Sequence, residues 1–129
     1  MSELFLIDDH ATMRKNMARF LSAEPGLSIC GEAGSGQEAL SALATLTPDV
    51  VLVDVSLPQM SGIELVRELL KRQPDLKCLM VSAHTQSDYA TEALKAGAKG
   101  YVTKEEPLDI LEAISAVLAD ETYLSKSLG

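Results

Sequence analysis

The chain has 129 residues, 47% of them hydrophobic and 23% charged, which makes one domain able to bury a core without disulfide or metal support. No apolar run approaches the roughly 18 residues of a membrane span. The opening MSELFLID lacks the basic region and cleavage site of a secretory signal, so the cytoplasm is the expected compartment. A formal net charge of −8 with no basic cluster argues against direct contact with nucleic acid.

Five short apolar runs alternate with five amphipathic stretches. The first predicted strand, residues 4–7, ends in two adjacent carboxylates, Asp8 and Asp9. ATMRKNMARFLSA follows, with Met13, Met17, Phe20 and Leu21 at helical spacing and expected to face the core. The second strand is predicted over 27–30 and is followed by GQEALSALATL. The third, 50–53, ends in Asp54 and precedes GIELVRELLKR. The fourth, 78–81, ends in Ser82 and precedes YATEALKAG. The fifth and weakest, 100–103, contains Tyr101, ends in Lys104 and precedes PLDILEAISAVLA. Several strands are unbroken apolar runs, as expected of strands covered on both faces. Strict alternation of strand and helix implies a parallel α/β sheet with helices on both sides. The domain is expected over 1–120, with 121–129 the start of a C-terminal linker or tail. Cys30 and Cys78 sit inside apolar runs without metal or redox spacing and are expected to be free thiols of the core.

In such sheets ligands gather at the carboxyl ends of the strands. Each strand-end residue has a plain structural use: Asp9 as a helix cap, Asp54 and Ser82 as turn openers, Lys104 as a solvated charge. Together they suggest more. If the first strand lies between the second and third, the tips of strands 1 and 3 are roughly 5 Å apart and three carboxylates share one region. Such charges raise one another's pKa or need a compensating cation, and Mg²⁺ suits one to three carboxylates plus waters. A metal beside a carboxylate, a hydroxyl and an ammonium suggests phosphoryl transfer, with Asp54 the nucleophile, Lys104 stabilising developing charge and Ser82 bonding a phosphoryl oxygen.

The whole chain resembles the receiver domains of two-component response regulators. The resemblance rests on Asp8-Asp9, on Asp54 in VVLVDVSLPQMSG, on Ser82, on Tyr101 and on Lys104 of GYVTK. IDDH, GEAGSGQEAL, EALKAGAKGY and TYLS resemble the NarL/LuxR-type subfamily, whose receivers usually precede a helix-turn-helix domain. The resemblance implies a doubly wound (βα)5, flavodoxin-like or CheY-like fold with a five-stranded parallel sheet of order 2-1-3-4-5. It implies Mg²⁺ held by Asp8, Asp9, Asp54 and the backbone carbonyl of Ser56, and Ser82 with Tyr101 as the switch. It further implies phosphoryl supply by a sensor histidine kinase or phosphotransfer protein. A homodimer is expected through helix 4, strand 5 and helix 5, or through helices 1 and 5. One departure stands out: Lys104 is followed by Glu105-Glu106-Pro107 where many receivers have Lys-Pro, which puts the local loop geometry in question.

The chain is therefore expected to be a signalling switch with self-catalysed phosphoryl transfer and aspartyl-phosphate hydrolysis, not a metabolic enzyme. Its DNA-binding output would lie outside these residues. A haloacid-dehalogenase-type phosphatase would need an aspartate where Ser56 stands. A flavin module would want a phosphate loop where DDHATM offers carboxylates. A degenerate receiver, acting as a phosphorylation-independent interaction module, would normally have lost an acid or the lysine, and all are present.

Overall fold

The computed structural model describes residues 1–85, 87–104, 107–126 and 128. Strands β1 (Ser2–Ile7), β2 (Leu27–Ala33), β3 (Val50–Val53), β4 (Cys78–Ser82) and β5 (Gly100–Thr103) alternate with helices. These are α1 (Ala11–Ser22), α2 (Gly36–Leu43), α3 (Gly62–Arg72), α4 (Ser87–Ala96) and α5 (Pro107–Leu118), and a two-residue strand β6 (Tyr123–Leu124) follows. All strands pair in parallel, in the order β2-β1-β3-β4-β5-β6, so the expected five-strand order is observed with one strand added at its edge.

Because successive strand residues point to opposite faces, each apolar run feeds two cores. Phe5, Ile7, Val51, Val53, Cys78, Met80 and Tyr101 meet α2, α3 and α4 on one face. Leu4, Leu6, Val50, Leu52, Leu79, Val81 and Val102 meet Leu21 of α1 and the α5 row Ile110, Ala113, Ile114 and Val117 on the other. Every residue of β3 is buried, which is why VVLV shows no alternation. Among the described residues no helix is long and apolar enough to cross a membrane.

Three local differences from the sequence expectation have physical reasons. β2 runs on to Ala33 because Gly31 leaves room for the Phe5 ring; a Cβ there would stand 2.7 Å from Phe5 Cε2. Met13 and Phe20, expected in the core, are 46% and 37% exposed, because α1 buries only the row that includes Leu21. Residues 123–124, expected in the tail, add to the sheet: the Tyr123 N–H donates to the Lys99 carbonyl (3.2 Å) and the Ser125 N–H to the Tyr101 carbonyl (3.0 Å). Cys30 and Cys78 are both free, on strands separated by β1 and β3.

Candidate functional site

Register explains how distant residues meet. Ile7 pairs with Val53 and the Asp54 N–H donates to the Ile7 carbonyl (3.0 Å), so Asp8 and Asp54 leave the sheet side by side. Ser82 pairs with Thr103 and its carbonyl accepts the Lys104 N–H (2.9 Å), which delivers Lys104 to the same rim. The loop after Asp54 is held close by Gly62. Its N–H donates to the Val55 carbonyl (2.8 Å), and a Cβ on it would fall inside the van der Waals shell of the Asp54 carbonyl oxygen.

Lys104 is no solvated surface charge. Its side chain is 14% exposed and its ammonium donates to Asp8 Oδ2 and Asp54 Oδ2, each at 3.0 Å. Met13, displaced from the core, lies against it, with Sδ 3.3 Å from Nζ. Asp54, 6% exposed, also accepts the Ser56 N–H at Oδ1 (3.1 Å), so the turn-opening use of this aspartate is real and coexists with the ion pair. Burial pushes the Asp54 carboxyl above its ordinary range, against the opposing pull of Lys104 and the Ser56 N–H. Burial works to lower the Lys104 ammonium, yet its bonds to Asp8 and Asp54 outweigh this and hold its pKa above the ordinary lysine value.

Asp9 does not cap α1; the N-cap is His10, whose side chain makes no cap bond. The donor atoms of Asp8, Asp9, His10 and Asp54 all lie within 4.8 Å of one another. An oxygen-rich donor set of this span fits a hard divalent ion, and these acidic residues could hold a metal.

On the β4–β5 side, the Ser82 hydroxyl accepts the His84 N–H (3.0 Å) and the Tyr101 phenol donates to the His84 carbonyl (2.9 Å). Tyr101 is fully buried, turned inward over β4, and burial raises its phenol above the ordinary tyrosine value. Glu105 and Glu106, where the sequence departs from the usual lysine-proline pair, lie outside the described residues.

Two residues at this rim carry no sequence signal. Arg14 looks like an ordinary surface charge, yet its Nη1 donates to the Asp8 carbonyl (2.6 Å) while Nε pairs with Glu32 (3.0 Å). His84 looks like a loop residue. Its Nε2 meets Ser56 Oγ (3.0 Å) and its ring stacks on Tyr89 with centroids 4.6 Å apart, so it links the loops after β3 and β4 to α4.

Residues 4–115 match the response regulator receiver domain family. The chain is 41% identical over 125 residues to the DNA-binding transcriptional activator DevR/DosR of Mycobacterium tuberculosis, covering 96% of this chain and 58% of that protein. It is 38% identical to the response regulator GacA of Pseudomonas viridiflava, covering 99% of this chain and 60% of that one. The chain thus spans about 60% of the length of these curated relatives. Among solved structures, a two-component response regulator of the LuxR family from an Aurantimonas species superposes with a TM-score of 0.96 at 33% identity, covering 99% of this chain and 92% of that one. The receiver domain of a regulator named NarL from Mycobacterium tuberculosis superposes with a TM-score of 0.85 at 28% identity, covering 92% and 96%. With the family match spanning most of its length, the chain belongs to the response regulator receiver domains, in their NarL/LuxR-type branch.

Proposed function

We propose that this receiver, a phosphorylation-dependent switch of a two-component system, accepts its phosphoryl group on Asp54. The observation that carries the reading is the Lys104 ammonium poised 3.0 Å from both Asp8 and Asp54 at the end of the central strand. An Asp54 carboxylate oxygen attacks phosphorus, the bond to the donor nitrogen of a phosphohistidine breaks, and the departing imidazole takes up a proton from water. Lys104 is placed to neutralise charge gathering on the transferred oxygens, and burial of Asp54 keeps its partners desolvated and strong. Mg²⁺, held by Asp8, Asp9, Asp54 and the Ser56 carbonyl, would supply the remaining positive charge at those oxygens.

Ser82 then binds a phosphoryl oxygen, and Ser82 with Tyr101 forms the switch. Residues 1–120 form the receiver and the DNA-binding output lies in the part of the protein that these residues do not span. The receiver works in the cytoplasm, and its phosphoryl donor is a sensor histidine kinase or phosphotransfer protein. A second copy docks on α4-β5-α5 or on α1-α5.

Incubation with acetyl phosphate and Mg²⁺, followed by intact-mass measurement, should add one phosphoryl group to the wild type and none to Asp54→Ala. Labelling that persists in the variant moves the acceptor elsewhere. No labelling of the wild type favours an interaction module that works without phosphorylation.

A further inference from the structure

We propose that the segment around β6 is a self-docked strap that closes the outer edge of β5 to a second copy of this chain, so that the α4-β5-α5 face opens only when the strap leaves. The inference rests on the reading above that a second copy docks on that face or on α1-α5, and it separates the two. The outer strands of the five-strand sheet, β2 and β5, differ in how they are protected. β2 carries Glu32 and a bulge at Cys30, which is skipped between the partners of Leu4 and Phe5, and both features discourage pairing with another chain. β5, GYVT, is buried throughout and has no charge, proline or irregular register. Without β6, its outer row of backbone groups would be a ready template for a strand from another molecule.

The strap has a built seat. α5 ends in a turn where the Asp120 N–H donates to the Val117 carbonyl (3.0 Å) and the Glu121 N–H to the Ala116 carbonyl (2.8 Å), with Asp120 left-handed at φ +62°. Lys77 holds that turn, its ammonium 3.1 Å from Asp120 Oδ1 and donating to the Leu118 carbonyl (3.2 Å). The reversal lays Tyr123 beside Gly100 and Leu124 beside Tyr101. Gly100 admits the strap by lacking a side chain: a Cβ there would stand 2.7 Å from the Tyr123 carbonyl oxygen. Tyr123 packs against the α5 core, and its phenol donates to Glu112 Oε2 (3.2 Å). Leu128 packs against the opposite core, the one that holds Tyr101, so the chain crosses the β5 edge from one face of the sheet to the other. Ser125, between them, is buried, and its N–H reaches the Tyr101 carbonyl.

A surface exposed in only a fraction of the molecules has its apparent affinity lowered by that fraction, so a strap seated in more than about nine-tenths of them weakens docking at least about tenfold. In hydrogen exchange of the full chain, the Tyr123 and Ser125 amides should exchange at least about tenfold more slowly than in an unstructured peptide. Ser125→Pro removes the N–H that reaches the Tyr101 carbonyl. With or without acetyl phosphate treatment, this variant should self-associate at least about tenfold more tightly than wild type in sedimentation. Amides of α4 and β5 should gain protection as its concentration rises. Leu128→Asp, which leaves both backbone bonds in place, should show a smaller gain of the same sign and takes over the test if Ser125→Pro does not fold. Unprotected Tyr123 and Ser125 amides in the wild type would overturn the inference. So would a folded release variant that associates no more tightly than wild type, or a wild type that associates through α4 and β5 with its strap amides still protected. Loss of Asp54 labelling beside the expected strap behaviour sinks the phosphorylation reading alone and supports the strap.

Discussion

The two sides of the strand-end rim are held in different ways. On the β1–β3 side, Asp8 and Asp54 share the Lys104 ammonium, Asp8 also takes the His10 N–H, and Asp54 takes the Ser56 N–H. Backbone bonds and the close approach of Gly62 fix the strand ends beneath them. On the β4–β5 side, Ser82 and Tyr101 are joined by neutral hydrogen bonds, through His84 and between their own side chains. A neutral bond of that kind contributes only about 1 kcal/mol net, and a charge-assisted bond to a phosphoryl oxygen is roughly twice as strong. On the proposed function, the side that would hold charge is already built, and the β4–β5 side consists of neutral bonds that a new charge would rearrange.

Gly62→Ala strikes the rigid side hardest. The added methyl meets the Asp54 backbone carbonyl rather than a flexible side chain, so the β3–α3 loop must shift, at a cost of about 3 kcal/mol. Urea denaturation should show this loss, and Asp54 labelling by acetyl phosphate should slow in the same variant. Stability within about 0.5 kcal/mol of wild type would mean the loop is as adaptable as the β4–β5 side.

Ser82→Ala tests the responsive side. It leaves the part-buried His84 N–H without its acceptor, which costs about 1 kcal/mol. Asp54 should still be phosphorylated, while most of the change in dimerisation, measured by sedimentation with and without the phosphoryl group, is lost. A variant that responds as fully as wild type would remove Ser82 from the path between chemistry and surface.

Tyr101→Phe is the smallest effect, about 1 kcal/mol at neutral pH, from loss of the bond to the His84 carbonyl. It adds a pH signature. Burial holds the Tyr101 phenol above its ordinary 10.0, so in that range the folded protein keeps a proton that the unfolded chain releases. Stability should fall as pH rises above 10 through the folded pKa, and the phenylalanine variant should show a shallower fall. Tyr123, whose phenol burial also raises, contributes equally to both proteins. Identical slopes would place the Tyr101 phenol in contact with solvent.

The residues differ in how far they could be read without coordinates. β3 is bounded by its sequence because both faces are covered, leaving a continuous apolar run that ends in a charge, and the weaker β5 matches its expected bounds between the Gly100 and Lys104 that flank its short core. β2 was read short because it is an edge strand, half-buried along most of its length, and Gly31 and Glu32 break its pattern. The inward-facing periodicity assigned to α1 was right for Leu21 and wrong for Met13 and Phe20, since spacing marks a face without saying how much of it the sheet covers. Asp8, Asp54, Ser82 and Lys104 are legible only as a group, because each alone has a plain structural use while the parallel strand order brings all four strand ends to one rim. Arg14 and His84 were not, because each acts through contacts with the backbone or with a neighbouring loop, and no spacing encodes those.

The short strand β6 gives the chain a fixed point of departure. Instead of trailing loosely from the end of α5, the backbone is gripped at Tyr123 and Ser125, and the second grip is the carbonyl of Tyr101. Ser125 is itself buried, its hydroxyl 3.4 Å from both Thr103 Oγ1 and Asp109 Oδ2. A tug on the polypeptide beyond residue 125 would load the same peptide unit whose phenol reaches into the rim. The last strand of the sheet and the phenol that reaches into the rim are thereby joined through a single residue of β5.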